Sequence, residues 1–252
     1  MLIELADVEG GVRIITLKNP PANALNCELL GDLSSAMDDV IADDAVRALI
    51  VRGSERFFCA GLDLAELATG EADALVSIGY DDGVYKLWTC PKPTVAQVQG
   101  HAIAGGAVIA LACDARIASV GRQRIGLNEN AFGIPLPREV FEAVRMAIPA
   151  HNLGRVILEG ALYTPEEALT QGMVHELVEP AVLADRCLSL AQQLAAYRPS
   201  AYAHNKALVQ EPAVARCRAE TEEARAKVRG LWMAPETLRC IQERLGSIGS
   251  RG

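Results

Sequence analysis

The stretch "AIAGGAVIALACDARIAS", Ala102 to Ser119, decides how this chain is read. From Ala102 to Ala112 it carries no polar side chain, and it then stops at Cys113-Asp114. Glycine inside a helix costs about 1 kcal/mol relative to alanine, which places Gly105 and Gly106 at a first turn. With "PTVAQVQG" before it and "ARIASV" after it, the region reads as strand, glycine-rich turn, helix and strand. Two readings of the helix start stay open. It is a place of close packing, or a bare N-terminus whose unpartnered N–H groups and positive dipole end stabilise an oxyanion. The glycine spacing is not that of a dinucleotide-binding fingerprint.

Working outward, "VRIITLK" (Val12 to Lys18) has strand composition and ends at the breaker "NPPAN". "CELLGDLSSAMDDVIADD" carries Leu29, Leu30, Leu33, Met37, Val40 and Ile41 at helical spacing, and "VRALIVRG" is a short apolar run suited to a buried parallel strand. Strand, helix and strand at these intervals imply right-handed βαβ units and an α/β fold. Beyond about Leu158 the strand signal fades. "TPEEALTQGMVHELV" offers Thr164 as a cap, Pro165 at the first helical position and Gly172 just past the end. From Pro180 onward the chain reads as helical, with Leu188, Leu190, Ala191 and Leu194 as its apolar face.

The 252 residues are half hydrophobic and 22% charged, enough to bury one large core. A net charge of −8 without a basic stripe argues against a nucleic-acid partner. The seven cysteines show no paired spacing, which reads as reduced thiols and not as a disulfide framework or a metal site. Glu4 and Asp7 stand where a signal peptide needs basic residues, and no apolar run reaches the roughly 18 residues of a membrane span. The expectation is a cytoplasmic protein with no membrane partner.

Three stretches carry chemistry. In "RFFCAGLDLAEL", the small pair Ala60-Gly61 lets a ligand approach the Leu62 N–H, and Asp63 caps a helix that begins at Leu64. The opening stretch supplies a second turn of bare N–H groups. In "IGLNENAFGIPLP", Glu129 lies among small and apolar residues, surroundings that raise a carboxyl pKa and suit a proton shuttle near neutrality. Taken singly, each has an ordinary reading: a strand-to-helix loop, a packed helix, a solvated glutamate.

Together with "NPPANALN" and "TPEEALTQGMVHELV", in this order and spacing, these stretches resemble the crotonase (enoyl-CoA hydratase/isomerase) superfamily over nearly the whole chain. The resemblance implies a spiral of ββα units over residues 1–195, a C-terminal helical trimerisation region over 196–252, and homotrimers or hexamers. It also implies an acyl-CoA thioester substrate whose oxygen is held by the N–H groups of Leu62 and Gly105, with no metal and no separate cofactor. Ala60, Gly61, Asp63, Leu64, Gly106, Val108 and Phe132 are the substrate-binding residues it suggests. The segment from Ala68 to Trp88 is expected to line the acyl tunnel.

Hydratases of this family use two glutamates to hold and activate water. Here Glu129 matches one, and Val108 occupies the position of the other. A single carboxylate suffices to move a double bond from C3–C4 to C2–C3, and "FCAGLDL", "AGGAVIAL" and "IGLNEN" are similar to the mitochondrial-type Δ3,Δ2-enoyl-CoA isomerases. Isomerisation is therefore the expected reaction, with hydration or another reaction of the family, such as cleavage by a lyase, as the alternative within it. A non-catalytic acyl-CoA-binding protein is the alternative of another class. His101 is read as a packed or capping residue, Asp114 as a partner for backbone at the helix end, and Arg138 and Glu139 as neighbours able to tune the Glu129 loop. Lys206 is read as a surface lysine, with a CoA phosphate as its other candidate contact.

Overall fold

A computed structural model describes residues 1–69, 75 and 82–249. The chain opens with a hairpin, β1 (Ile3–Val8) and β2 (Val12–Leu17), followed by α1 (Cys27–Ala42) and β3 (Ala48–Arg52). Next come β4 (Phe57–Cys59), α2 (Leu64–Ala68), α3 (Tyr85–Thr89), β5 (Thr94–Val98), β6 (His101–Ile103) and α4 (Gly105–Ala112). β7 (Ala115–Ser119) and β8 (Ile125–Gly126) lead into a 3-10 turn, Glu129–Phe132. Then follow α5 (Arg138–Ala147), α6 (Ala150–Leu158), α7 (Pro165–Gln171), β9 (Glu176–Val178), α8 (Leu183–Ala195), α9 (Pro199–Arg218), α10 (Glu222–Trp232) and α11 (Pro235–Gly249).

The strands divide between two sheets. One has the order β1-β2-β3-β5-β7-β9 and is parallel except for its first hairpin; the other is β4-β6-β8, also parallel. Each successive pair, β3/β4, β5/β6 and β7/β8, gives one strand to each sheet, so the chain climbs as a spiral of ββα units with helices at its C-terminal end. β3 and β5 are buried on both faces, which explains why "ALIV" and "TVAQV" lack alternation.

The helix signals hold closely. Asn26 caps α1 by accepting the Leu29 N–H at 2.8 Å. Thr164 and Glu167 form a reciprocal capping box on α7, Pro165 follows the cap, and Gly172 closes the helix at φ +78°. On α8 the buried stripe is Leu183, Cys187, Ala191 and Ala195; Leu188, Leu190 and Leu194, expected on the apolar face, are only partly buried beside it. The fading of strand signal after Leu158 is corrected by β9, whose three residues complete the large sheet beside β7. A strand that short has no room to show a period. The seven cysteines are free thiols, five of them buried. Among the described residues, no helix is long and apolar enough to cross a membrane.

Candidate active site

Two turns meet above the small sheet. The first follows β4: Gly61 adopts φ +92°, and Asp63 caps α2 by accepting the N–H groups of Ala65 and Glu66. Leu62 forms an isolated parallel bridge with Leu25, in which Leu25 donates to the Gly61 carbonyl at 2.8 Å and accepts from the Asp63 N–H at 2.9 Å. In that pattern the N–H of Leu62 itself points away from Leu25. The second turn follows β6. Ala104 holds φ +50°, ψ −122°, a conformation that a side chain rarely adopts, and α4 begins at Gly105 with no side-chain cap. Among the described residues, neither the Leu62 nor the Gly105 N–H has a hydrogen-bond partner.

The closeness of the turns explains the small residues. A methyl at Gly61 would sit 2.9 Å from both the Ala104 Cβ and the Ile103 carbonyl oxygen, and 3.3 Å from the Gly105 nitrogen. At Gly106 it would lie 2.1 Å from the Cys59 carbonyl oxygen, so α4 can start against β4 only without a side chain there. Close packing and a bare helix start therefore occur in the same stretch. The N-terminal turn is bare, and Ile109 to Ala112 are buried in the core.

Glu129 approaches the same space from the 3-10 turn. That turn is fixed by the Asn130 side chain, which donates to the Ile157 and Leu158 carbonyls, and by the Glu129 carbonyl, which accepts the Ile134 N–H. The Glu129 side chain is buried, and its Oε1 has no partner. Burial pushes its carboxyl up to about 7, opposed only by a backbone hydrogen bond.

Between these groups lies a cavity of about 410 Å³. Its polar elements are the Leu62 and Gly105 turns, Asn128 and Glu129, and Arg244; most of the wall is apolar, including Phe57, Ile103, Phe132, Leu136, Val140 and Trp232. A carbonyl oxygen held by the two N–H groups would acquire stabilised negative charge, and a base of near-neutral pKa is available for an adjacent C–H. Among the described residues, no group of His, Cys, Asp or Glu side chains is placed to hold a metal ion.

Of the sequence-predicted residues, Leu62, Gly105, Glu129, Ala60, Leu64 and Phe132 line this cavity. Gly61, Asp63 and Gly106 shape the turns from behind. Val108 is wholly buried in the core and does not line the cavity, so α4 contributes no carboxylate and no side-chain wall at that point. Of the segment Ala68 to Trp88, residues 70–74 and 76–81 lie outside the described residues, while Leu87 and Trp88 belong to the core. His101 is packed, as read: its ring lies 5.1 Å from that of Phe57, and its Nδ1 accepts the Arg124 N–H. Arg138 and Glu139 pair with Glu220 and Arg225, tying α5 to the C-terminal helices. Lys206 is neither an open surface lysine nor placed at the cavity. It is buried against Asp114 at 2.8 Å, because that carboxylate also serves the Thr94 N–H and the Tyr202 hydroxyl and needs a counter-charge. Sequence reasoning missed Asn128, Trp232 and Arg244 on the cavity wall.

Comparison with known proteins bears on the family and the fold. The profile of the enoyl-CoA hydratase/isomerase family matches residues 7–236. An (E)-benzylidenesuccinyl-CoA hydratase of Thauera aromatica is 33% identical over 200 residues, covering 77% of this chain and 76% of that one. The human mitochondrial enoyl-CoA delta isomerase 1 is 32% identical over 216 residues, covering 83% and 71%. The crystal structure of human mitochondrial delta3-delta2-enoyl-CoA isomerase superposes with a TM-score of 0.93 at 25% identity, covering 100% of this chain and 99% of that one.

Proposed function

Because the chain belongs to the enoyl-CoA hydratase/isomerase family, we propose that it moves the double bond of a 3-enoyl-CoA thioester to the 2-position. The thioester oxygen sits on the N–H groups of Leu62 and Gly105. Ionised Glu129 takes a proton from C2, the charge spreads over the dienolate onto the held oxygen, and protonated Glu129 returns the proton to C4. A carboxyl balanced near pH 7 serves both directions of this transfer, and the apolar wall keeps water from the intermediate.

The observation that carries this reading is the count of carboxylates. Among the described residues lining the cavity, Glu129 is the only one, which is enough to shuttle a proton and one fewer than water activation by paired glutamates requires. The hydratases among the relatives keep hydration as the competing reading. Turnover of 3-enoyl-CoA and of crotonyl-CoA by the same preparation separates them: isomerisation should exceed hydration at least tenfold. Equal rates would defeat the argument from Val108. CoA-ester binding without any turnover would instead indicate a binding protein. We infer also that three copies assemble, a point that mass measurement in solution decides.

A further inference from the structure

Of the polar side chains on the cavity wall that the proposed chemistry leaves unused, one can accept a hydrogen bond. Asn128 directly precedes Glu129 and lines the same cavity. Among the described residues its buried Oδ1 accepts no hydrogen bond, and Glu129 Oε1 is in the same condition. The backbone carbonyl of Asn128 accepts the Ala131 N–H at 3.0 Å, so the main chain is held while the carboxamide oxygen remains unserved. Buried acceptors without donors are rare in native folds and costly to keep.

A donor for this oxygen arises within the reaction itself. As a carboxylate, Glu129 only accepts; as an acid, it carries an O–H that needs an acceptor. Trp232 and Arg244 can only donate, and the rest of the described lining has apolar side chains or none. Asn128 is thus the one side chain of the described lining, other than Glu129, that can accept a hydrogen bond. We propose that Asn128 is a positioning residue: its Oδ1 accepts the Glu129 O–H of the acid form and holds that proton between its removal from C2 and its return to C4. The inference rests on the isomerase reading. The C2–H bond breaks as the Glu129 O–H forms, that O–H is held on Asn128 Oδ1, and it then breaks as the C4–H bond forms.

Among the described residues, no ion pair on Glu129 stands in for this contact. Facing the turn from α11 are Cys240, whose Sγ lies 3.4 Å from the Ala131 carbonyl, with Glu243 and Arg244 beside it. From the connection between α6 and α7 come Glu159, paired with Arg155, and Tyr163. None of these acts on the Glu129 carboxyl strongly enough to rival burial.

The test titrates Glu129 in the full-length chain by the infrared carbonyl stretch of its acid form, with Glu129→Gln as the subtraction reference. Beside it runs the pH profile of kcat/KM on 3-enoyl-CoA. Asn128→Leu keeps the size of the side chain and removes the acceptor. Since Glu129 is already buried, the change removes a contact made only by the acid form. The expected result is a titration moved to lower pH, by roughly a threefold or greater loss of proton affinity, with the acid limb of the profile moving alongside. Asn128→Val gives the same displacement and serves if leucine is not accommodated; Asn128→Ser, which keeps an acceptor, returns the titration toward the wild-type position. A titration unmoved or raised in both acceptor-less variants overturns the proposal. Should the titration move as expected while wild-type protein fails to turn over 3-enoyl-CoA, the Asn128 contact stands and the isomerase reading is what falls.

Discussion

The helix α4 is only eight residues long, and its two ends are treated in opposite ways. At the N-terminal end, Ala104 is held at positive φ, no side chain caps the helix, and the Gly105 N–H has no partner. At the C-terminal end two charged side chains are amply partnered. Asp114 accepts from Thr94, Tyr202 and Lys206. Arg116, which is buried, donates to the carbonyls of Cys113, Ala147 and Met173, which lie at or just past the ends of α4, α5 and α7. Three helix C-termini, with the nearby Asp114 carboxylate, offset the charge of this buried guanidinium. Polar satisfaction is thus concentrated where the fold is held and withheld where a ligand oxygen would sit. Stability and chemistry should separate along this one helix.

The separation can be broken or sharpened by substitution. Glu129→Gln, facing the bare end, should lower isomerisation by about 10³, read as kcat on 3-enoyl-CoA. It should also stabilise the protein at alkaline pH. The folded carboxyl titrates above its ordinary 4.5, so its contribution to stability is present below that value and lost as pH rises through about 7. Removing the charge should recover up to about 3 kcal/mol at pH 8, seen in denaturant titrations. Arg116→Met, at the served end, leaves three carbonyls without their donor and should cost about 3 kcal/mol, or roughly 10 °C in melting temperature. Specific activity of its folded fraction should stay within a few-fold, and a loss as deep as that of Glu129→Gln would erase the comparison.

Gly61→Ala tests the bare end from behind. Its methyl must displace Ala104 or the Ile103 carbonyl, so kcat should fall by about 10² with a smaller loss of stability. The smallest effect belongs to His175, whose Nε2 lies 2.6 Å from Arg116 Nη2. Burial first, and then the guanidinium, hold its pKa down at about 4. The folded state therefore resists protonation that the unfolded chain accepts below its ordinary 6.5, and stability should fall modestly between pH 7 and 5.5, by well under about 1 kcal/mol because the ring is partly exposed to solvent. His175→Asn should flatten that slope.

What could be read from sequence was what is local. Caps at Asp63 and Thr164, the buried runs of β3 and β5, and the three loops bearing Leu62, Gly105 and Glu129 all depend on neighbours along the chain. Strands of two or three residues, β4, β6, β8 and β9, are too short to show a period and exist only because their sheets pair them. Trp232 reaches the cavity from 97 residues beyond Pro135, the carbonyl its indole binds, and nothing in its charged helix marks it as a wall residue. Val108 was legible as a missing carboxylate but not as a core residue. The unserved oxygen of Asn128 is a property of the assembled cavity and has no signature in "LNEN".

The placing of Trp232 has an optical consequence. The chain contains two tryptophans. Trp88 is buried in the core away from the cavity, while Trp232 forms part of its wall with the indole N–H fixed on the Pro135 carbonyl at 2.8 Å. The intrinsic fluorescence of the protein therefore divides into a constant background and a single emitter beside any occupant of the cavity. Its colour and intensity report on filling and emptying without a label, in the wild-type chain and in every variant that leaves Trp232 in place.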